Sequence, residues 1–123
     1  MIFVAQLSLT LFIAVHHSFV AEYNTSKSAT VTGAVTKLLW ENPHAFLVIE
    51  GKSPRTGQIE DWSIELGSVN SLVRLGWTKN SIRINEVVTV QGILAVSGEN
   101  RILARGVTLR SSGVQLQTSS SER

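Results

Sequence analysis

The stretch QIEDWSIELGSVNSLVRLGW, residues 58–77, decides the fold because a strand pattern changes there into a helix pattern. Up to Leu66, apolar and polar residues alternate, which is typical of an antiparallel strand with one face in water. Ser68 is a suitable helix N-cap, and the apolar residues after it recur at i, i+3 and i+4: Val69, Leu72 and Val73. Gly76 stands where a helix often ends in the left-handed conformation. One strand followed by one short helix is therefore predicted.

Strand patterns lie on both sides of this stretch. Two precede it and two follow it, at Ala29–Trp40, Ala45–Glu50, Val87–Val96 and Arg101–Arg110. The first and fourth strands contain Gly33 and Gly92, and an internal glycine is typical of a bulge or a sharp bend. Five strands with one helix after the third is the order of the OB-fold. We predict an all-β protein with one short helix, a five-stranded OB-fold-like small barrel (β-β-β-α-β-β); an open sheet with a helix on one face is the alternative.

Composition limits the classes of function. The chain has 123 residues, enough for one domain, and its 11 Lys and Arg against 9 Asp and Glu give a net charge of +2. This excess is too small for nucleic-acid binding by bulk electrostatics, so no nucleic-acid partner is predicted. The chain has no cysteine, which excludes disulfides, thiolate metal sites and cysteine nucleophiles.

The chain is predicted to have four parts. Residues 1–15 are uncharged and mostly apolar, which favours a signal peptide cleaved after Ala14 or Val15, and hence a periplasmic or secreted protein without a membrane span after cleavage. An internal buried strand or helix is the alternative for this segment. Residues 16–28 form an N-terminal lead-in, residues 29–110 the OB-like barrel domain, and the Ser- and Gln-rich residues 111–123 a disordered tail.

The three histidines are the candidate metal ligands: His16, His17 and His44. After signal cleavage, the new terminal amine would lie next to the histidine pair, and nitrogen donors of this kind suit Cu(II). His44 follows Pro43 in a turn and is expected to be partly exposed. The hypothesis is that these histidines bind copper. Glu22 or Tyr23 could assist the metal binding. The alternatives are an unliganded terminal pair and a turn histidine that caps a carbonyl.

Five further residues are candidates for binding a ligand or partner: Trp40, Asn42, Trp77, Arg101 and Arg105. The two tryptophans flank turns and could line a cleft on the barrel, or belong to the core. The two arginines share a strand face, where they could favour an anionic partner or keep an edge strand soluble.

Catalysis has little support in the sequence. The polar residues of the third strand share one face, as the wet side of any half-exposed strand does: Asp61, Ser63 and Glu65. No motif indicates a buried, oriented histidine of the kind that nucleophilic catalysis needs. We therefore predict that the protein is not an enzyme.

Several stretches carry a resemblance to a known family: His16–Phe19, Ala21–Tyr23, Gly33–Lys37, Trp40–His44, Arg74–Ser81, Val88–Gly92 and Ala104–Leu109. In these the chain resembles an uncharacterised family of exported bacterial proteins, domain of unknown function 6152. The resemblance covers roughly His16 to Leu109 and implies export, with a signal that ends just before the paired histidines. It implies no activity.

The sequence therefore favours an exported OB-like binding domain. Its partner would be copper, a small ligand or an envelope protein, and the sharper hypothesis is copper bound through His16, His17 and His44. The alternative is an interaction or structural module of the envelope without a metal. Single-stranded nucleic-acid binding and hydrolysis are the weakest readings.

Overall fold

The computed structural model describes residues 22–118. The predicted signal peptide and the histidines His16 and His17 lie outside these residues. The described chain contains six strands and one helix: β1 (Tyr23–Leu39), β2 (Ala45–Lys52), β3 (Ile59–Gly67), α1 (Val69–Arg74), β4 (Val87–Ala95), β5 (Arg101–Leu109) and β6 (Gln115–Gln117). The predicted class, mostly strand with one short helix after the third strand, is confirmed. No helix within this part of the chain is long and apolar enough to cross a membrane.

Five strands pair in a ring around the core. β1 is antiparallel to both β2 and β4, β2 pairs with β3, and β4 pairs with β5. A parallel pairing of Ser63–Glu65 in β3 with Arg101–Leu103 in β5 closes the ring, which gives the barrel-like arrangement that the OB-like prediction requires. Closure satisfies backbone groups that an open sheet would leave unpaired at its edges.

Close contact between strands explains the two internal glycines. A Cβ on Gly33 would overlap the carbonyl oxygen of Glu50 in β2, and one on Gly92 would overlap the carbonyl oxygen of Leu103 in β5. The register of β1 against β2 shifts shortly after Gly33, and the register of β4 against β5 shifts at Gly92. Both predicted irregularities are therefore present, and they let long strands bend around a small ring.

Two apolar clusters lie on opposite faces of the sheet. The main core fills the ring and includes Trp62 and the helix residue Leu72, both fully buried. Val73, predicted to share the apolar stripe of α1, is instead 54% exposed; in this six-residue helix Leu72 is the buried residue and Val69 packs partly buried against the core. The second cluster consists of Tyr23, Ile93, Ala95 and Leu103. It covers the other side of β4 and β5, since Leu103 lies between core residues of β5.

Both ends of the described chain differ from the sequence-based expectation. β1 begins at Tyr23 rather than Ala29, and the polar residues after Tyr23 lie in a register shift that ends at Ser28. The tail predicted to be disordered from Ser111 contributes β6, which pairs with β5. Thr118 is fully buried, and its hydroxyl donates to the carbonyl of Ala104. Non-local contacts form these segments, which is why their polar composition concealed them.

Candidate functional site

The turn between β1 and β2 carries His44. Trp40 packs against the main core, and the side-chain oxygen of Asn42 accepts a hydrogen bond of 3.3 Å from the backbone N–H of Val69, at the start of α1. These two contacts fasten the turn to the domain. His44 stands directly before β2, and 51% of its side chain is exposed.

His44 meets a buried carboxylate from β3. Its Nδ1 lies 2.6 Å from Oε1 of Glu65, a distance typical of a strong, charge-assisted hydrogen bond. The pairing of β2 with β3 explains the contact, because Phe46 lies opposite Glu65. Glu65 is only 6% exposed, so the pair joins the half-exposed imidazole to the interior of the protein.

Tyr23 and Arg101 continue this contact away from His44. The hydroxyl of Tyr23 donates to Oε2 of Glu65, and the guanidinium of Arg101 donates to the tyrosine oxygen over 3.4 Å. Arg101 also lies over the tyrosine ring, 5.8 Å from its centroid, and Glu99 lies 3.9 Å from the guanidinium. We call Arg101, Tyr23, Glu65 and His44 the His44 network.

The network accounts for the burial of a charged group. A carboxylate out of water is costly unless each oxygen has a partner, and Glu65 has one on both. Burial, and then the hydrogen bond to Glu65 and its negative charge, raise the pKa of Tyr23 well above the ordinary value of 10.0. Tyr23 therefore keeps its proton and acts as a donor throughout the physiological range.

The geometry at His44 is that of an oriented imidazole. Proteins commonly hold a metal-binding histidine by a hydrogen bond from its other ring nitrogen to a carboxylate. Nδ1 is engaged by Glu65, whereas no described residue is hydrogen-bonded to Nε2. Residues 22–118 contain no group of three or more His, Cys, Asp and Glu side chains that could hold a metal ion, so a metal at His44 needs ligands from elsewhere.

Residues 5–104 match the family described as Family of unknown function (DUF6152). The chain belongs to this family. No curated protein matches it. The matched region of this DUF6152 chain includes the whole His44 network as well as His16 and His17.

Among the candidate binding residues of this DUF6152 chain, the two tryptophans take the core role that was the alternative for them. Trp77 does not line an open cleft: it is 2% exposed, and its ring N–H donates to the carbonyl of Gln117 over 2.7 Å. Asn42 binds the backbone of α1, and Trp40 packs on the core. Arg101 is engaged with Tyr23, whereas Arg105 is exposed at the register shift of β5.

Sequence reasoning missed the central residue of the site. The alternation in β3 predicts that Glu65 shares a solvent-exposed strand face with Asp61 and Ser63, and Asp61 is exposed. Glu65 is buried because Tyr23 and the His44 turn cover its end of β3. The only local signal for Glu65 was its place in β3 opposite the start of β2, next to the histidine turn.

Proposed function

We propose that this DUF6152 protein is an exported domain, periplasmic or secreted, that binds copper through His44 together with His16 and His17. The observation that carries the proposal is the 2.6 Å contact between His44 Nδ1 and the buried carboxylate of Glu65. This contact orients the ring and leaves Nε2 as the nitrogen for a metal, as in many histidine metal sites.

Chain length supports the participation of the N-terminal histidines. The backbone carbonyl of Glu22 accepts a hydrogen bond of 2.9 Å from the N–H of Val96, and Tyr23 is bound to Glu65. The chain before Glu22 therefore starts beside the His44 network. His17 precedes Glu22 by five residues, which can span up to roughly 17 Å when extended. This length of chain supports the participation of the two N-terminal histidines at a metal held by His44.

The donor atoms favour copper. The chain offers three imidazoles and no thiol, and signal cleavage beside His16 would add an amine. Imidazole and amine nitrogens suit Cu(II), which binds such sites more tightly than the other divalent ions of the first transition series. The uncharged apolar segment of residues 1–15 supports export. A binding role is proposed rather than a catalytic one, because no hydroxyl group in residues 22–118 is hydrogen-bonded to His44.

The test is a Cu(II) titration of the mature chain, with its N-terminus established by mass spectrometry. Wild type is compared with His44→Ala, with the double variant His16→Ala/His17→Ala, and with Glu41→Gln as a control in the same turn. One-to-one binding that is weakened in both histidine variants, and kept in the control, would support the proposal.

Two results would overturn it. Loss in the terminal variant alone would mean a local chelate of the amino terminus in which His44 has no part. Absence of binding in the wild type would remove the metal, and the envelope interaction module would become the leading function.

A further inference from the structure

We propose that Arg101, Tyr23 and Glu65 form a one-way hydrogen-bond relay that fixes the proton of neutral His44 on Nδ1 and leaves Nε2 free to bind a metal. The relay rests on the proposed function for its purpose, since it prepares the nitrogen that copper would use. The position of the proton, however, can be measured without any metal.

Arg101 sets the direction of the relay. A guanidinium can only donate hydrogen bonds, and Arg101 donates to the oxygen of Tyr23 over 3.4 Å. Tyr23 has one hydrogen of its own, and it points to Oε2 of Glu65. The cation beside the tyrosine oxygen therefore favours the arrangement in which the hydroxyl of Tyr23 donates its hydrogen bond to Glu65.

Glu65 extends this direction of hydrogen-bond donation to His44, because it accepts on both carboxylate oxygens. A carboxylate accepts hydrogen bonds and cannot donate them. Its Oε1 lies 2.6 Å from Nδ1 of His44, a distance at which an unprotonated Nδ1 would place two lone pairs against each other. The proton of neutral His44 must therefore be on Nδ1, although free histidine prefers to carry it on Nε2. Glu65, Tyr23 and Arg101 are thus positioning residues and not metal ligands.

The relay predicts an unusual effect for Glu65→Gln. The hydrogen of Tyr23 still needs an acceptor, and the carbonyl oxygen of the new side chain supplies it. The amide NH₂ then faces Nδ1 of His44 and donates to it, which moves the ring proton to Nε2. The substitution keeps the shape of the side chain and removes no ligand, yet it blocks the metal-binding nitrogen.

A second substitution is expected to reverse this effect. In Tyr23→Phe/Glu65→Gln no hydroxyl holds the amide in one orientation, so the side-chain amide can turn its oxygen towards His44 and accept from Nδ1 again. The double variant should therefore recover the Nδ1–H form, at least in part. A residue that only packs against its neighbours would not show such recovery.

The experiment is long-range ¹H–¹⁵N NMR of the histidine rings in the metal-free chain, at an alkaline pH at which the ¹⁵N shifts show the rings to be neutral. The spectrum of His44→Ala assigns the ring, and Glu41→Gln is the matched Glu-to-Gln control. We expect the Nδ1–H pattern in wild type and control, the Nε2–H pattern in Glu65→Gln, and recovery in the double variant. A wild-type ring that carries its proton on Nε2, or a ring unchanged by Glu65→Gln, would overturn the relay.

A measurement of Cu(II) affinity tests the relay and the proposed function separately. If both hold, Glu65→Gln lowers the Cu(II) affinity roughly 10- to 100-fold, the usual effect of losing such an outer partner, and the double variant recovers part of it. If the ring patterns are as expected and copper does not bind, the relay stands and the proposed function fails.

The amide spectrum of each variant reports whether it folds. If Glu65→Gln does not fold, the ring pattern of the wild type alone decides whether the relay exists.

Discussion

Tyr23 ties the start of β1 to the buried carboxylate of Glu65, and its ring belongs to the second apolar cluster. Tyr23→Phe keeps the ring in place but removes the donor to a buried oxygen. We expect a loss of about 1–3 kcal/mol in the free energy of unfolding, the usual cost of an unsatisfied buried polar group. Urea denaturation measures it. Thr36→Val removes an exposed hydrogen bond to the carbonyl of Val48 and should cost less; equal losses would contradict the account.

Tyr23 also predicts how stability depends on alkaline pH. Because burial and Glu65 raise its pKa above the ordinary value of 10.0, the folded protein holds this proton more tightly than the unfolded chain. The resulting stabilisation is complete below about pH 10 and is lost as the pH rises further. Denaturation curves from about pH 8 to about pH 11 should show this loss in wild type and not in Tyr23→Phe. The chain has one tyrosine, so phenolate absorbance that appears near its ordinary pKa in the folded protein would contradict the prediction.

For single residues, the sequence predicted the exposure of a side chain better than its hydrogen-bond partners. His44 was expected to be partly exposed in a turn, and it is. The burial of Glu65 could not be read from alternation within β3, because its cover comes from the His44 turn and from Tyr23, which lies 42 positions earlier in the chain. The core position of Trp77 likewise depends on a distant partner, Gln117.

Neighbouring strands approach each other closely at two glycines, Gly33 and Gly92. A Cβ added to Gly92 would overlap the backbone of β5, so Gly92→Ala must displace a strand. Overpacking of this kind costs about 1–3 kcal/mol, occasionally more. Gly106→Ala is the matched control, because its nearest contact would be an ordinary 3.9 Å from Leu116. Thermal or urea unfolding should show a clear loss for Gly92→Ala and little change for Gly106→Ala; the reverse order would refute the close approach.

The strand and helix with a strong apolar periodicity, β3 and α1, were predicted well, and the mostly polar strand β6 was not. β3 and α1 followed from periodicity and from the N-cap, since the Ser68 side chain accepts from the N–H of Ser71. β6 has a single apolar residue, Leu116, and pairs through backbone groups with β5. Three residues with one apolar side chain carry too little pattern to stand out from a loop.

The whole molecule depends on contacts between its ends and its middle. β6 pairs with β5, and Gln117 accepts the ring N–H of Trp77. A chain truncated after Ser112 loses β6 and uncovers Trp77, so we expect lower stability and a red shift of tryptophan fluorescence. A chain that ends at Thr118 keeps every contact described for β6 and is the control. Equal stability and fluorescence of the two truncated chains would contradict the role given to β6.

The candidate site is also a property of the whole ring. It joins the start of β1, the turn before β2, the end of β3 and the start of β5. Its first and last residues in sequence order, Tyr23 and Arg101, are 78 residues apart. The sequence could supply His44 as a candidate and the strand order that leads to the ring. It could not supply the network, because Tyr23 reaches Glu65 across 42 positions of sequence and the parallel pairing of β3 with β5 brings Arg101 next to the strand of Glu65.

The proposed function is the binding of copper by His44 together with the N-terminal histidines. The most direct measurement is pulsed EPR of the one-to-one Cu(II) complex of the mature chain, which counts the imidazoles coupled to the metal. We expect wild type to show an imidazole coupling that disappears in His44→Ala and persists in Glu41→Gln. Identical spectra for wild type and His44→Ala would show that copper is bound without His44 and would contradict the proposal.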